Sequence, residues 1–263
     1  MGISTAVIVV SVIGILCAVM LSVASKVMAV EVDERVTQVR ECLPGANCGG
    51  CGYPGCDGYA AALVEDESLD LTLCAAGGPA CAAAIGKVLG RSAGEMVPKT
   101  AVINCKGDCS ASGSKMDYEG IQSCAAAKLL FGSPGKCTFG CIGLGDCASA
   151  CPSDAICIEN GIAHVDARVC TGCGACSRAC PNHVISILPT DTAVKVLCSS
   201  HDKGAAVRKK CTAGCIGCGM CMRKCPEGAV TVKDNLAVID YSKCTGCGTC
   251  ASVCPAKCID LKA

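Results

Sequence analysis

The sequence predicts an α+β chain: an N-terminal transmembrane helix, a small mostly α domain, then two tandem copies of a compact cysteine-rich unit. Three observations carry this. Gly2–Ser25 holds no charged side chain, thirty of the 263 residues are cysteine, and eight cysteines recur at one offset of 74 residues. Cysteine at about 11% lies far above ordinary usage. Two Phe, four Tyr and no Trp leave the core without its usual largest burial units, so something else must organise it. Basic and acidic residues balance at 23 each, against the basic excess of a nucleic-acid binder. Composition also excludes a disordered chain, a collagen and one large conventional enzyme core.

The first element, residues 1–25, contains the apolar run Ile3–Ala24, ISTAVIVVSVIGILCAVMLSVA. As a helix its 22 residues span about 33 Å, enough for a hydrocarbon layer of roughly 30 Å. A cleaved secretory signal has a positive n-region and a shorter apolar stretch. The positive region is missing here and the run is too long, so an uncleaved single-pass anchor in the cell membrane is expected. Lys26, Arg35 and Arg40 all follow the span, which predicts the N-terminus outside and the remaining domains cytoplasmic. The span has no ionisable group of the kind an ion path uses, and Cys17 within it reads as a small apolar residue.

Residues 26–95 form the second element. CGGCGYPGC supplies Cys48, Cys51 and Cys56, and Cys74 comes after seventeen intervening residues. This C-x2-C-x4-C…C order suits a single [4Fe-4S] cluster, the glycines letting the backbone fold tightly around it. The following GYAAALVEDE predicts a short helix packing Tyr59 and Leu63. A connecting segment, 96–136, carries Cys105, Cys109 and Cys124. Two readings of these three stay open: a sixth cluster that borrows one more cysteine, or free structural thiols.

The C-terminal element, 211–263, is the clearest. Cys215, Cys218, Cys221 and Cys225-Pro226 are followed by Cys244, Cys247, Cys250 and Cys254-Pro255. Both runs are C-x2-C-x2-C-x3-C-P, in which three thiolates bind one [4Fe-4S] cluster and the fourth serves its neighbour. One cluster is therefore expected on Cys215, Cys218, Cys221 and Cys254, another on Cys225, Cys244, Cys247 and Cys250. Moving back 74 residues finds Cys137, Cys141, Cys147, Cys151, Cys170, Cys173, Cys176 and Cys180, so 137–190 is a duplicate. Its regular cluster uses Cys151, Cys170, Cys173 and Cys176. In the other, Leu144 stands where Cys218 stands downstream. Cys137 with Cys141, Cys147 and Cys180 restores four ligands; a [3Fe-4S] centre on the last three is the alternative. Asn160-Gly161 and Asp234-Asn235 sit between alternating apolar residues and predict tight hairpins. Hairpins flanked by such loops predict a ferredoxin-like two-cluster fold, twice over, with five clusters counted in all.

Competing explanations weigh less. A disulfide framework needs an oxidising compartment, which the anchor orientation denies. Structural zinc requires neither the third evenly spaced cysteine nor the trailing Cys-Pro. Cys157 and Cys258 read as packing, and His164, His183 and His201 lack metal-like spacing. The linker 191–210 ends in Lys203, Arg208, Lys209 and Lys210, a solvated stretch or a docking patch for an acidic electron carrier. No nucleotide-binding glycine motif is present. Loaded clusters, each near −2 with its thiolates, would add roughly −10 to the formally neutral chain.

The order of anchor, ANCGGCGYPGCDGY, YEGIQSCAAAKLLFGSPGKCTFGCIGLGDCASACP and ferredoxin repeats resembles the B subunits of Rnf complexes, membrane-bound ion-pumping ferredoxin oxidoreductases. The resemblance spans nearly the whole chain, and the second two-cluster unit resembles the extended members. It implies an electron-transfer subunit without a catalytic site of its own, within a translocase coupling electron flow to Na+ or H+ transport. It also implies sister membrane subunits, a flavoprotein subunit, soluble reduced ferredoxin as donor, and NAD+ or another terminal acceptor. A membrane-tethered iron-sulfur redox sensor, or a polyferredoxin subunit of a different membrane reductase, are the alternatives.

Overall fold

The computed structural model describes residues 2–27 and 33–261. Residues 28–32 of the second element and 262–263 of the last unit lie outside the described residues, as does the side chain of Lys26. The uncharged segment forms helix α1 (Ile3–Val27), 25 residues long. Its described large apolar side chains, Val7 to Val23, are 50–69% exposed. No helix among the described residues is long and apolar enough to cross a membrane, the described side chains of α1 running unbroken only from Val10 to Ser25.

Three helices build the next domain: α2 (Glu34–Cys42), α3 (Cys56–Glu65) and α4 (Gly78–Leu89). The Asp33 carboxylate starts α2 by accepting from the Arg35 amide at 2.8 Å, while Pro79 near the start of α4 and left-handed Gly90 after its end mark the limits of that helix. Val39, Tyr59, Leu63 and Ile85 are buried together between them. The Tyr59 hydroxyl donates to the Asp70 carbonyl at 2.9 Å, so the ring is buried without an orphaned polar tip. Arg40 ties α2 to α3 through Asp57 at 2.7 Å. The predicted helix around Tyr59 is α3.

The first repeat comprises β1 (Lys99–Ile103), α5 (Cys124–Phe131), α6 (Asp146–Ser149), β2 (Ile156–Glu159), β3 (Ile162–Val165), α7 (Ala175–Ala179) and β4 (Ile185–Pro189). The second comprises β5 (Val194–Val196), α8 (Gly204–Lys210), α9 (Met220–Lys224), β6 (Val230–Lys233), β7 (Leu236–Ile239), α10 (Thr249–Ser252) and β8 (Ile259–Leu261). Both expected hairpins form: β2 pairs β3 and β6 pairs β7. Their turns hold Asn160 and Gly161 at φ +49° and +76°, and Asp234 and Asn235 at +47° and +64°, as a type I′ turn requires.

Each unit begins earlier than the cysteine repeat suggests. β1 lies in the connecting segment, yet runs antiparallel to β4 with Lys99 opposite Pro189 and Ile103 opposite Ile185. β5 lies in the expected linker and pairs in the same way with β8. Strands of five and three residues with partners far along the chain leave no turn signal and little periodicity. The linker also contains α8, which buries Val207. Thiols share the cores: Cys215, Cys221, Cys250 and Cys258 are buried with Val194, Val230, Ile239 and Ile259.

Candidate metal centres

Cys48, Cys51, Cys56 and Cys74 line one pocket, with Cys173 of the first repeat at its edge. Asn47, at φ +46°, fixes the loop: its Oδ1 accepts from the Cys56 amide at 2.8 Å where α3 begins. Gly50 permits the close approach of the two domains, since a Cβ there would lie 2.5 Å from the Cys173 carbonyl oxygen. Arg178 reinforces the contact by donating to the Cys48 carbonyl at 2.7 Å.

In the second repeat, Cys215, Cys218, Cys221 and Cys254 line one pocket. Cys225, Cys244, Cys247 and Cys250 line another. The spacing expects these two quartets; Cys258 is a fifth thiol in the first pocket. In the first repeat Cys151, Cys170 and Cys173 surround Cys176 closely enough to act on its charge. Amides of Ala155 and Ala101 donate to the Cys151 and Cys170 sulfurs, each at 3.4 Å; such bonds stabilise the thiolate form and tune a bound centre.

The remaining quartet differs from the expectation. The pocket beside Cys141, Cys147 and Cys180 is completed by Cys124, not Cys137. Asp146 explains the placement. Its carboxylate accepts from the Ser123 hydroxyl at 3.0 Å and from the amides of Cys124 and Ala125 at 2.9 Å. The α5 N-terminus is thereby capped by a residue of the cysteine loop itself, which holds Cys124 beside Cys141, Cys147 and Cys180. Burial raises the Asp146 pKa, but the amides of Ala125 and Cys124 and the Ser123 hydroxyl outweigh it and hold the carboxyl below its usual range. Cys137 instead lines a larger cavity with Cys105, Cys109, Cys198 and Cys211.

The thiols sit where a bare thiolate is costly. Burial pushes Cys141 up to about 11, Cys147 to about 12 and Cys176 to about 11. A positively charged iron core would supply the compensating charge, and ligation would release the proton. Two ligand candidates differ: Cys74 and Cys215 are held below the usual thiol range because Cys81 and Cys258 donate to them. Of the two cysteines expected as packing, Cys258 is 1% exposed, whereas Cys157 faces solvent on β2 and donates to the Glu159 carboxylate at 3.4 Å. Among the described residues no three Cys, His, Asp or Glu side chains converge on a single metal ion. The quartets of Cys48, Cys141, Cys215 and Cys225 line pockets instead, which suits a cluster wider than one ion.

Exposure separates the two repeats. Cys218 and Cys247 of the second are exposed, whereas Cys141, Cys147, Cys170, Cys173 and Cys176 of the first are buried or half-buried. The basic stretch is now helical; Arg208 and Lys209 are exposed, while Lys210 is drawn to Asp202 at 2.7 Å.

Family comparisons follow the same divisions. An Fe-S cluster family model matches residues 43–75, a 4Fe-4S binding domain 163–186, and a 4Fe-4S dicluster domain 214–258. The chain is 46% identical over 236 residues to the B subunit of the proton-translocating ferredoxin:NAD(+) oxidoreductase complex of Clostridium ljungdahlii, covering 89% of this chain and 83% of that one. To the Na(+)-translocating counterpart of Acetobacterium woodii it is 42% identical, covering 88% and 70% respectively. The B subunit of the ion-translocating oxidoreductase complex of Methanosarcina acetivorans is 41% identical, with 95% of both chains covered. With matching cysteine loops, and relatives this similar over most of their length, the chain belongs to the B subunits of ion-translocating oxidoreductase complexes, the Rnf family.

Proposed function

We propose that this chain is the electron-relay subunit of an ion-translocating ferredoxin oxidoreductase, held at the membrane by α1 with its iron-sulfur domains on the cytoplasmic side. Five quartets hold [4Fe-4S] clusters: Cys48, Cys51, Cys56 and Cys74; Cys151, Cys170, Cys173 and Cys176; Cys124, Cys141, Cys147 and Cys180; Cys215, Cys218, Cys221 and Cys254; and Cys225, Cys244, Cys247 and Cys250. When bound, such clusters supply one-electron storage and transfer. The protein's contribution is spacing, burial and hydrogen bonds to sulfur.

The observation that carries this reading is the contact at Gly50, which sets the quartet of the membrane-proximal domain directly against Cys173 of the next. Direction follows from exposure. The second repeat presents Cys218 and Cys247 to solvent, near exposed Arg223 and Lys224, and suits a soluble, acidic donor of the ferredoxin class. The membrane-proximal quartet, next in sequence to α1, faces the sister subunits. No substrate pocket or proton-transfer group is required in this chain, and the oxidoreductase activity belongs to the assembly.

Stopped-flow mixing of the detergent-solubilised protein with reduced ferredoxin tests the entry point. Absorbance of the oxidised protein should bleach within milliseconds, and Cys215→Ala or Cys247→Ala should slow that bleaching at least about tenfold. Unchanged ferredoxin oxidation in both variants would refute entry at the second repeat. Absence of any bleaching in the unaltered protein would favour a redox sensor instead.

A further inference from the structure

Six cysteines line a cavity of about 340 Å3 at the junction of the two repeats: Cys105, Cys109, Cys137, Cys141, Cys198 and Cys211. Cys141 already belongs to a quartet. The other five have no place in the five-quartet relay, and four of them are related by the duplication. Cys105 comes two residues after β1 and Cys198 two residues after β5. Cys137 and Cys211 each stand four residues before the first thiol of their loop, Cys141 and Cys215. The hydrogen bonding repeats as well: the Cys141 amide donates to the Cys105 sulfur at 3.4 Å, and the Cys215 amide to the Cys198 sulfur at 3.2 Å. Cys109 has no such counterpart; ninety-three residues on, where Cys198 follows Cys105, stands Asp202.

Space between the sulfurs is kept open by glycine. A Cβ on Gly107 would lie 3.2 Å from the Cys211 sulfur and 3.7 Å from that of Cys105. One on Gly140 would lie 3.4 Å from Cys105 and 3.6 Å from Cys137. Four thiols from two modules thus face one glycine-lined cavity, the donor set of an iron-sulfur cluster.

Resting on the relay reading, we propose that Cys105, Cys137, Cys198 and Cys211 hold a further [4Fe-4S] cluster, two ligands from each repeat, at the junction of the units. This site does more than add a centre. Its sulfurs accept amides from Cys141 and Cys215, which belong to the quartets on either side, so it closes the interval between repeats. A centre there would stand between the repeats on the way from exposed Cys247 to Cys48.

Iron and acid-labile sulfide analysis of the anaerobically purified full chain, with single variants, tests the assignment. The unaltered protein should hold about 24 irons, four per quartet. Cys105→Ser and Cys198→Ser, one change in each repeat, should each lose between about one and four irons and leave the rest in place. Cys109→Ser should lose none. Alkylation of the loaded, unaltered protein followed by mass spectrometry gives a reading independent of variant folding. Cys109 and Cys157, both exposed, should be modified, while the four junction thiols react only after chelation. About 20 irons in all three variants and in the unaltered protein, or junction thiols that alkylate while iron is retained, would overturn the junction site and leave the five-cluster relay standing. A protein without iron would overturn both.

Discussion

Chelation of iron under reducing, anaerobic conditions is expected to unfold residues 43–261 while α1 stays helical in detergent. The strands of the two repeats are three to five residues long, too short to persist as isolated two-stranded sheets. No Trp and only two Phe are available to bury. Buried cysteines occupy the positions that large apolar side chains hold in other domains, so ligation supplies the folding free energy. Near-complete loss of amide-exchange protection in both repeats, with retention in Ile3–Val27, is the expected readout. An iron-free protein with an unchanged cooperative thermal transition would show that the chain packs without its clusters.

Replacing Cys124 should damage one specific centre. Cys124→Ala removes a thiol from the pocket it shares with Cys141, Cys147 and Cys180, and the expected product is a three-iron centre, visible as a new paramagnetic signal in oxidised protein and a loss of about one iron. Asp146→Ala should move in the same direction, because it strips three hydrogen bonds from the start of α5, at a cost of about 1–3 kcal/mol to the cap. Asp146→Asn, which keeps an acceptor oxygen, should recover part of the loss. A three-iron signal from Cys137→Ala, with none from Cys124→Ala, would restore the ligand set that sequence spacing favours.

That contrast shows where the sequence is readable. The loops of Cys215 and Cys244 are legible because their ligands lie a few residues apart, and local spacing is enough to wrap a cluster. The hairpins at Asn160 and Asp234 are legible for the same reason, their partners being adjacent in the chain. Cys124 is not, since it reaches its pocket only through the Asp146 carboxylate, a contact across 22 residues. Leu144 marks the missing thiol without naming its replacement. The repeat itself misleads in one place: the 74-residue offset aligns Cys198 with Cys124, whereas the strands make Cys198 the counterpart of Cys105. A longer excursion between β1 and Cys137 than between β5 and Cys211 breaks the register there, and only the pairing of β1 with β4 and β5 with β8 restores it.

The most direct measurement is iron and acid-labile sulfide per chain on the anaerobically purified protein, with low-temperature electron paramagnetic resonance after reduction. Thiol quartets that build both the fold and the relay require a brown protein with iron and sulfide in equal amounts, about 20 of each or more, and signals broadened by neighbouring centres. A colourless preparation, zinc in place of iron, or iron without sulfide would contradict it.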